Sequence, residues 1–193
     1  MEFLNLSKPT NNRKLKPGMI LIAEPFLADP NFARSVILLC EHGEEGSVGF
    51  VLNRPTDLTL GDLLPELYTP LLNINQGGPV QLDTLHMLHR SPEAYGGNEI
   101  IPGVYWGGSY EALQESIQNN EYQPIDLKLF VGYSGWSPGQ LEKELEEGSW
   151  MVADLNPQIL FETEPENIWK AAIRLLGKEY SYLANMPLNP QLN

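Results

Sequence analysis

The run RSVILLCEHGEEGSVGFVLNRP, Arg34 to Pro55, decides how the chain is read. Val36 to Cys40 are apolar without a break, Glu44-Glu45-Gly46 supplies turn chemistry, and apolar residues resume from Val48 to Leu52. Two such runs across a short turn predict a β-hairpin, with Arg34 to Gly43 as one arm and Ser47 to Pro55 as the other. A hairpin is antiparallel pairing between sequence neighbours. It speaks against a regular parallel winding, in which each strand must wait for a crossover helix.

The same reading extends outward. GMILIAEP (Gly18 to Pro25) is a buried strand stopped by proline, and ADPNFARS offers one helical turn with Asp29 as N-cap and Pro30 behind it. From Asp57 to Tyr68, leucines 60, 63, 64 and 67 have the spacing of an amphipathic helix capped by Thr59 and Asp62. Leu82 to His89 reads as a strand, SPEAYGGN as a loop, and Ser109 as the cap of a helix that turns Leu113 and Ile117 inward. LKLFVGYS is a further strand and SPGQLEKELEEG a helix. SWMVADL is another short strand. TEPENIWKAAIRLLG is a last helix, with Thr163 and Glu166 at capping-box spacing and Ile168, Ala172 and Leu175 on one face. Locally paired strands followed by mixed strands and helices define α+β. The expected organisation is a basic arm over residues 1–16, one α+β domain over 17–184 and an irregular tail over 185–193.

Charge narrows the functions. Twenty-five acidic residues against 12 basic ones give a net charge of -13, and Lys8, Arg13, Lys14 and Lys16 crowd into the arm. Such a surface repels phosphate backbones and anionic lipid, so neither direct DNA binding nor membrane association is expected. One cysteine, Cys40, and an amino terminus without an apolar leader predict a reducing, cytoplasmic setting.

The motif that invites a catalytic reading is Gly132-Tyr133-Ser134-Gly135-Trp136. A nucleophile elbow is G-x-S-x-G, yet Trp136 stands where the last glycine belongs. The Ser137, Pro138 and Gln140 capping pattern also starts the helix after the serine rather than at it. His42, His86 and His89 all precede Ser134, opposite to the order of an α/β-hydrolase, leaving a chymotrypsin-type order as the open form. A turn serine is the favoured reading, and a hydrolase using Ser134 with an upstream histidine is the alternative. His86 and His89, three apart on a strand, face opposite ways, and no C-x-x-C, H-E-x-x-H or phosphate-loop pattern occurs. Neither metal nor cofactor is expected. Arg34 at one strand end and Asn53-Arg54 at the end of its hairpin partner could converge as an anion clamp. Tyr133 and Trp136 are candidates for an aromatic wall beside it. Arg34, Asn53, Arg54, Tyr133, Ser134 and Trp136 therefore form the candidate binding cleft.

Taken together, GMILIAEP, the Arg34–Pro55 run, QGGPV with LHMLHR, GVYWGG, LFVGYSGWSPGQLEKELEEGSW and ENIWKAAIRLLG resemble the YqgE/AlgH family of bacterial proteins. These blocks run from about Gly18 to Gly177. The resemblance implies a single α+β domain with a branched, largely antiparallel sheet that includes a small closed barrel and is flanked by helices. It supplies no catalytic residue. One branch of the family is labelled a putative transcriptional regulator, and family genes often neighbour one for a Holliday-junction-resolvase-like protein. The expectation is a non-enzymatic interaction or regulatory protein that binds a protein or a small anionic ligand, with any regulation acting through protein partners.

Overall fold

A computed structural model of the chain describes residues 13–67 and 72–186. In chain order its elements begin with β1 (Met19–Ala23), β2 (Val36–Gly43), β3 (Gly46–Val51), β4 (Pro55–Thr59) and α1 (Leu60–Leu63). They continue with β5 (Asn73–Gln76), β6 (Val80–His89), α2 (Pro92–Tyr95), β7 (Asn98–Ile101), β8 (Val104–Trp106) and α3 (Tyr110–Gln118). The last are β9 (Leu127–Trp136), α4 (Gln140–Glu146), β10 (Trp150–Asp154), α5 (Pro157–Phe161) and α6 (Pro165–Leu175).

The hairpin forms as its sequence predicts. Ile37 pairs with Val51, Leu38 with Phe50 and His42 with Ser47, and a bulge falls between Leu39 and Glu41. The sheet runs in the order β10-β1-β2-β3-β9-β6-β8-β7, antiparallel along that path. β5 joins β9 in parallel and carries β4 beside it. One edge of β9 is thus divided: Gly135 and its neighbours pair with β3, while Leu129 to Val131 pair with β5. The sheet branches there. Among the described residues it stays open, with β10 and β7 at its two ends, so the small closed barrel is not formed. The chain spends the edge of β9 on a fork between β3 and β5 instead of on closure.

Side-chain alternation splits the interior. Ile20, Ile22, Val36, Leu38, Phe50, Leu88 and Phe130 face one side and share one cluster with Trp169, Ala172 and Ile173 of α6, which lies over β1, β2 and β10. The opposite side holds two clusters, one around Leu21, Ile37, Leu39, Val51, Trp136 and Trp150, the other around Ile74, Met87, Leu113 and Leu129. β9 serves all three because Gly132, with φ of +65°, shifts its side-chain phase. Leu127 and Leu129 face the back, Phe130 and Tyr133 the front, and Trp136 the back again. A β-carbon at Gly132 would also lie 2.7 Å from the Val80 carbonyl oxygen, so the site needs glycine in both respects.

Several local expectations change. The leucine-spaced helix shrinks to the single turn of α1, because Pro55 to Thr59 is drawn into pairing with β5 and Pro65 blocks extension. Its cap is present: the Thr59 main-chain N–H and hydroxyl both donate to Asp62 at 2.8 Å, which holds that carboxyl below its usual range. Tyr68, the end of the expected helix, lies outside the described residues. SPEAYGGN contains the short helix α2 rather than pure loop. Thr163 does not cap α6; its hydroxyl donates back to the Gln158 carbonyl, and Glu164 takes the cap position. The buried face of α6 is Ile168, Trp169, Ala172 and Ile173, while Leu175 in the last turn is 40% exposed. Of the expected arm, residues 1–12 lie outside the described residues, but Leu15 is buried and Arg13 pairs with Asp154 at 2.5 Å. Of the expected tail, residues 187–193 lie outside the described residues, and Asn185 closes a 3-10 turn begun by the buried Leu183 and Ala184 at the end of the expected domain.

Candidate functional site

Ser134 is fully buried on β9, and its hydroxyl donates to the Gly77 carbonyl oxygen at 3.0 Å. The strand runs on through Trp136, and α4 begins only at Gln140, after Gly139 has turned with φ of +75°. No strained strand-to-helix corner presents the serine. The three histidines are engaged elsewhere. His42 Nδ1 meets Ser47 Oγ at 2.9 Å, His86 Nε2 meets Thr84 Oγ1 at 2.9 Å, and His89 Nε2 meets the Gly107 carbonyl at 3.0 Å. His42 also approaches Glu142, but at 3.6 Å, longer than a hydrogen bond that would orient it as a base. The geometry around Ser134 is that of a structural hydroxyl.

The expected anion clamp is distributed differently from its sequence reading. Arg34 stacks over the Trp169 ring, 4.7 Å from its centroid, and donates to the Met186 carbonyl at 2.6 Å. Arg54 donates to the Pro30 carbonyl at 3.0 Å. The Asn53 amide bridges main chain on both sides, accepting from Val36 N and donating to Arg34 O, each at 2.9 Å. Asn53 thus fastens the end of the hairpin, and both arginines reach across to main-chain carbonyls. Trp136 is buried as well, its indole N–H donated at 2.9 Å to Glu144 Oε2, which also accepts from Trp150 at 2.8 Å.

Concave space lies at the other end of the hairpin. A cavity of about 440 Å³ opens between the β2–β3 turn and β9, bordered by Glu41, Glu45, Ser47, Val48, Tyr133 and Gly135. A second, of about 600 Å³, is bordered by Glu41, His86, Asn98, Trp106, Gly107 and Tyr110. Glu41 borders both. α6 lies against β1, β2 and β10 and leaves this part of the front face uncovered. Of the six residues the sequence singles out, only Tyr133 and Trp136 border this concavity, and Ser134 lies buried between them.

The walls are aromatic and the polar groups have defined states. The His86 ring sits 5.0 Å from Phe50, 6.0 Å from Tyr133 and 6.5 Å from Trp106, centroid to centroid. Thr84 spends its single hydroxyl proton on the Gln81 carbonyl at 2.8 Å, so His86 Nε2 must be the donor to Thr84. Nδ1 then carries a lone pair. Burial pushes the His86 pKa down, favouring that neutral form. Tyr110 donates to the Leu85 carbonyl, which fixes its ring at the rim. Beneath the surface, burial and then the charge of Glu41 push the Cys40 thiol up, so it is an inert core residue. Among the described residues, no group of three or more His, Cys, Asp or Glu side chains is placed to hold a metal ion. No helix among them is long and apolar enough to cross a membrane.

Asn98, Trp106 and Tyr110 were not legible as site residues, and His86 was legible only as an upstream histidine for the hydrolase alternative. Their convergence depends on β6 pairing with β8 and β9, and no local motif announces it. The bulge after Leu39, which sets Glu41 between the two cavities, left only the weak signal of an acid ending an apolar run.

An open, branched α+β sheet with an uncovered aromatic concavity is the class of molecule that fold and site define. The chain belongs to the AlgH-like family, whose pattern it matches over residues 20–181. A UPF0301 protein of Chlorobaculum tepidum is 45% identical, covering 93% of this chain and 96% of the relative. Another, of Cytophaga hutchinsonii, is 43% identical over 93% and 100%. The solution structure of the AlgH protein from Pseudomonas aeruginosa superposes with a TM-score of 0.70 at 34% identity, covering 91% of this chain and 98% of that one. A Corynebacterium diphtheriae crystal structure shares the fold, with a TM-score of 0.76 at 23% identity over 90% and 94%.

Proposed function

We propose that the chain is a non-enzymatic interaction protein of regulatory type, acting in the cytoplasm, whose partner or small ligand lies in the concavity centred on Glu41. The observation that carries this reading is that Glu41 borders both cavities, so a single ligand can span from the β2–β3 turn to the β6–β8 corner. Concave sites with aromatic walls and a few convergent polar groups are where ligands bind. The reading moves the ligand away from the Arg34–Asn53–Arg54 end, where all three side chains already hold main-chain groups. With Ser134 bonded to Gly77 and buried, nothing in the geometry favours the hydrolase alternative.

The test is affinity capture from native lysate with three baits. Wild type and an Arg34→Ala/Arg54→Ala double variant are expected to retain the same partner, whereas Glu41→Trp, which fills the junction of the cavities, should lose it. Loss with the arginine variant and retention with Glu41→Trp would overturn the placement.

A further inference from the structure

Resting on that placement, we infer that the concavity receives an arginine side chain presented by a protein partner, with its guanidinium between the Glu41 carboxylate and the rings of His86 and Trp106. Three independent features select this chemistry.

The first is the polar set. Glu41 is exposed, offers two acceptor oxygens and borders both cavities. In the lining of the larger cavity, the Thr84 hydrogen bond fixes His86 with Nε2–H donated to threonine and a lone pair on Nδ1. An acceptor-only carboxylate and an acceptor nitrogen among the residues lining one cavity call for a ligand with several donors in one plane. A guanidinium supplies five.

The second is the wall. Trp106 and Tyr110 border the larger cavity, and Tyr133 borders the smaller. Planar cations stack on such faces, and guanidinium is more weakly hydrated than ammonium, so it gives up water at lower cost in a half-enclosed site. This chain already uses the same pairing internally, with Arg34 over Trp169 and Arg90 over Phe161 at 4.3 Å.

The third is size and charge. About 600 Å³ is more than an arginine side chain fills, and the adjoining 440 Å³ past Glu41 leaves room for the residues beside it in an extended segment. Glu45 on that second stretch extends the negative potential, and the chain as a whole carries -13. Long-range attraction therefore favours a basic segment as well. A protein segment, rather than a free guanidine, is the occupant that uses both cavities.

The experiment is a titration of isotopically labelled protein followed by amide shifts, using four probes: acetyl-Ala-Arg-Ala amide, its lysine and citrulline counterparts, and agmatine. The arginine peptide should shift the amides of His86, Gly97, Gly107 and Gly135 and bind at least about tenfold more tightly than the neutral citrulline isostere. Glu41→Gln, a small change at an exposed position, should weaken the arginine peptide about tenfold and leave the citrulline peptide unchanged. Equal binding of arginine and citrulline peptides, or no effect of Glu41→Gln, would overturn the proposal. So would a lysine peptide as tight as arginine, or agmatine as tight as the peptide. If neutral or anionic compounds shift these amides while arginine does not, the concavity stands as a site and its assignment to arginine falls. If no probe shifts them and Glu41→Trp retains the captured partner, both fall.

Discussion

The hydroxyl of Ser134 donates to the carbonyl oxygen of Gly77 at 3.0 Å, which ties β9 to the glycine link between β5 and β6. The same carbonyl accepts from Val51 N at 2.8 Å, so β3, β9 and that link meet on one atom. Removing the hydroxyl leaves the carbonyl satisfied. Ser134→Ala is therefore expected to lower stability by about 1 kcal/mol, the net worth of a buried neutral hydrogen bond, and to leave partner capture intact. Urea unfolding beside the capture assay checks it. A stability-neutral variant that loses its partner would return Ser134 to the functional set.

Glu144 carries a larger share. One of its oxygens accepts from the indoles of Trp136 and Trp150, and the other accepts from Gln140 at 2.9 Å, fastening α4 to β9 and β10. Both tryptophans are more than nine-tenths buried. Glu144→Ala would strand two indole donors and should cost about 2–4 kcal/mol, whereas Glu144→Gln keeps an acceptor and should cost less. Denaturation midpoints of the two variants test the order.

His89 gives a pH prediction. It is fully buried, receives Ser91 N–H on Nδ1 and donates from Nε2 to Gly107. Burial lowers its pKa, partly offset by the Gly107 hydrogen bond. The folded protein thus binds this proton less readily than the unfolded chain. Its stabilising contribution is present above the unfolded value of about 6.5 and is lost as pH falls below it. Half-buried His86 adds in the same direction. Thermal midpoints between pH 7.5 and 5 should fall, and His89→Gln should make the slope shallower. An unchanged slope would contradict the assignment.

Arg34 should act on stability alone. Its stacking on Trp169 and its bond to the Met186 carbonyl hold the carboxyl-terminal segment against α6 and the hairpin. Arg34→Ala is expected to cost about 1–2 kcal/mol, and Arg54→Ala, which loses one exposed contact to Pro30, within about 0.5 kcal/mol. Chemical unfolding separates the two.

Much of the fold was legible because its central strands are apolar runs bounded by turn residues. The Arg34–Pro55 hairpin, β1, β6, β9 and β10 are of this kind. β4, β5 and β7 were missed because they are short, partly exposed segments whose sequences carry little apolar alternation. The course of β9 past Ser134 was hidden by Gly132 and Gly135, which read as a corner but permit a phase shift inside one strand. For the site, Tyr133 was legible as an aromatic beside glycine. Arg34 and Arg54 misled because their partners, the carbonyls of Met186 and Pro30, are main-chain groups that no side-chain pattern reveals. His86 and Trp106 reach the concavity only through pairing across long stretches of chain.

The central claim is that this protein binds its partner over the Glu41 concavity. Hydrogen exchange of the captured complex against the free protein tests it most directly. Protection is predicted at the β2–β3 turn, around His86 and over Gly97 to Gly108, with the segments holding Arg34, Asn53 and Arg54 unchanged. Protection confined to those three residues, with the concavity exchanging as in the free protein, would contradict it.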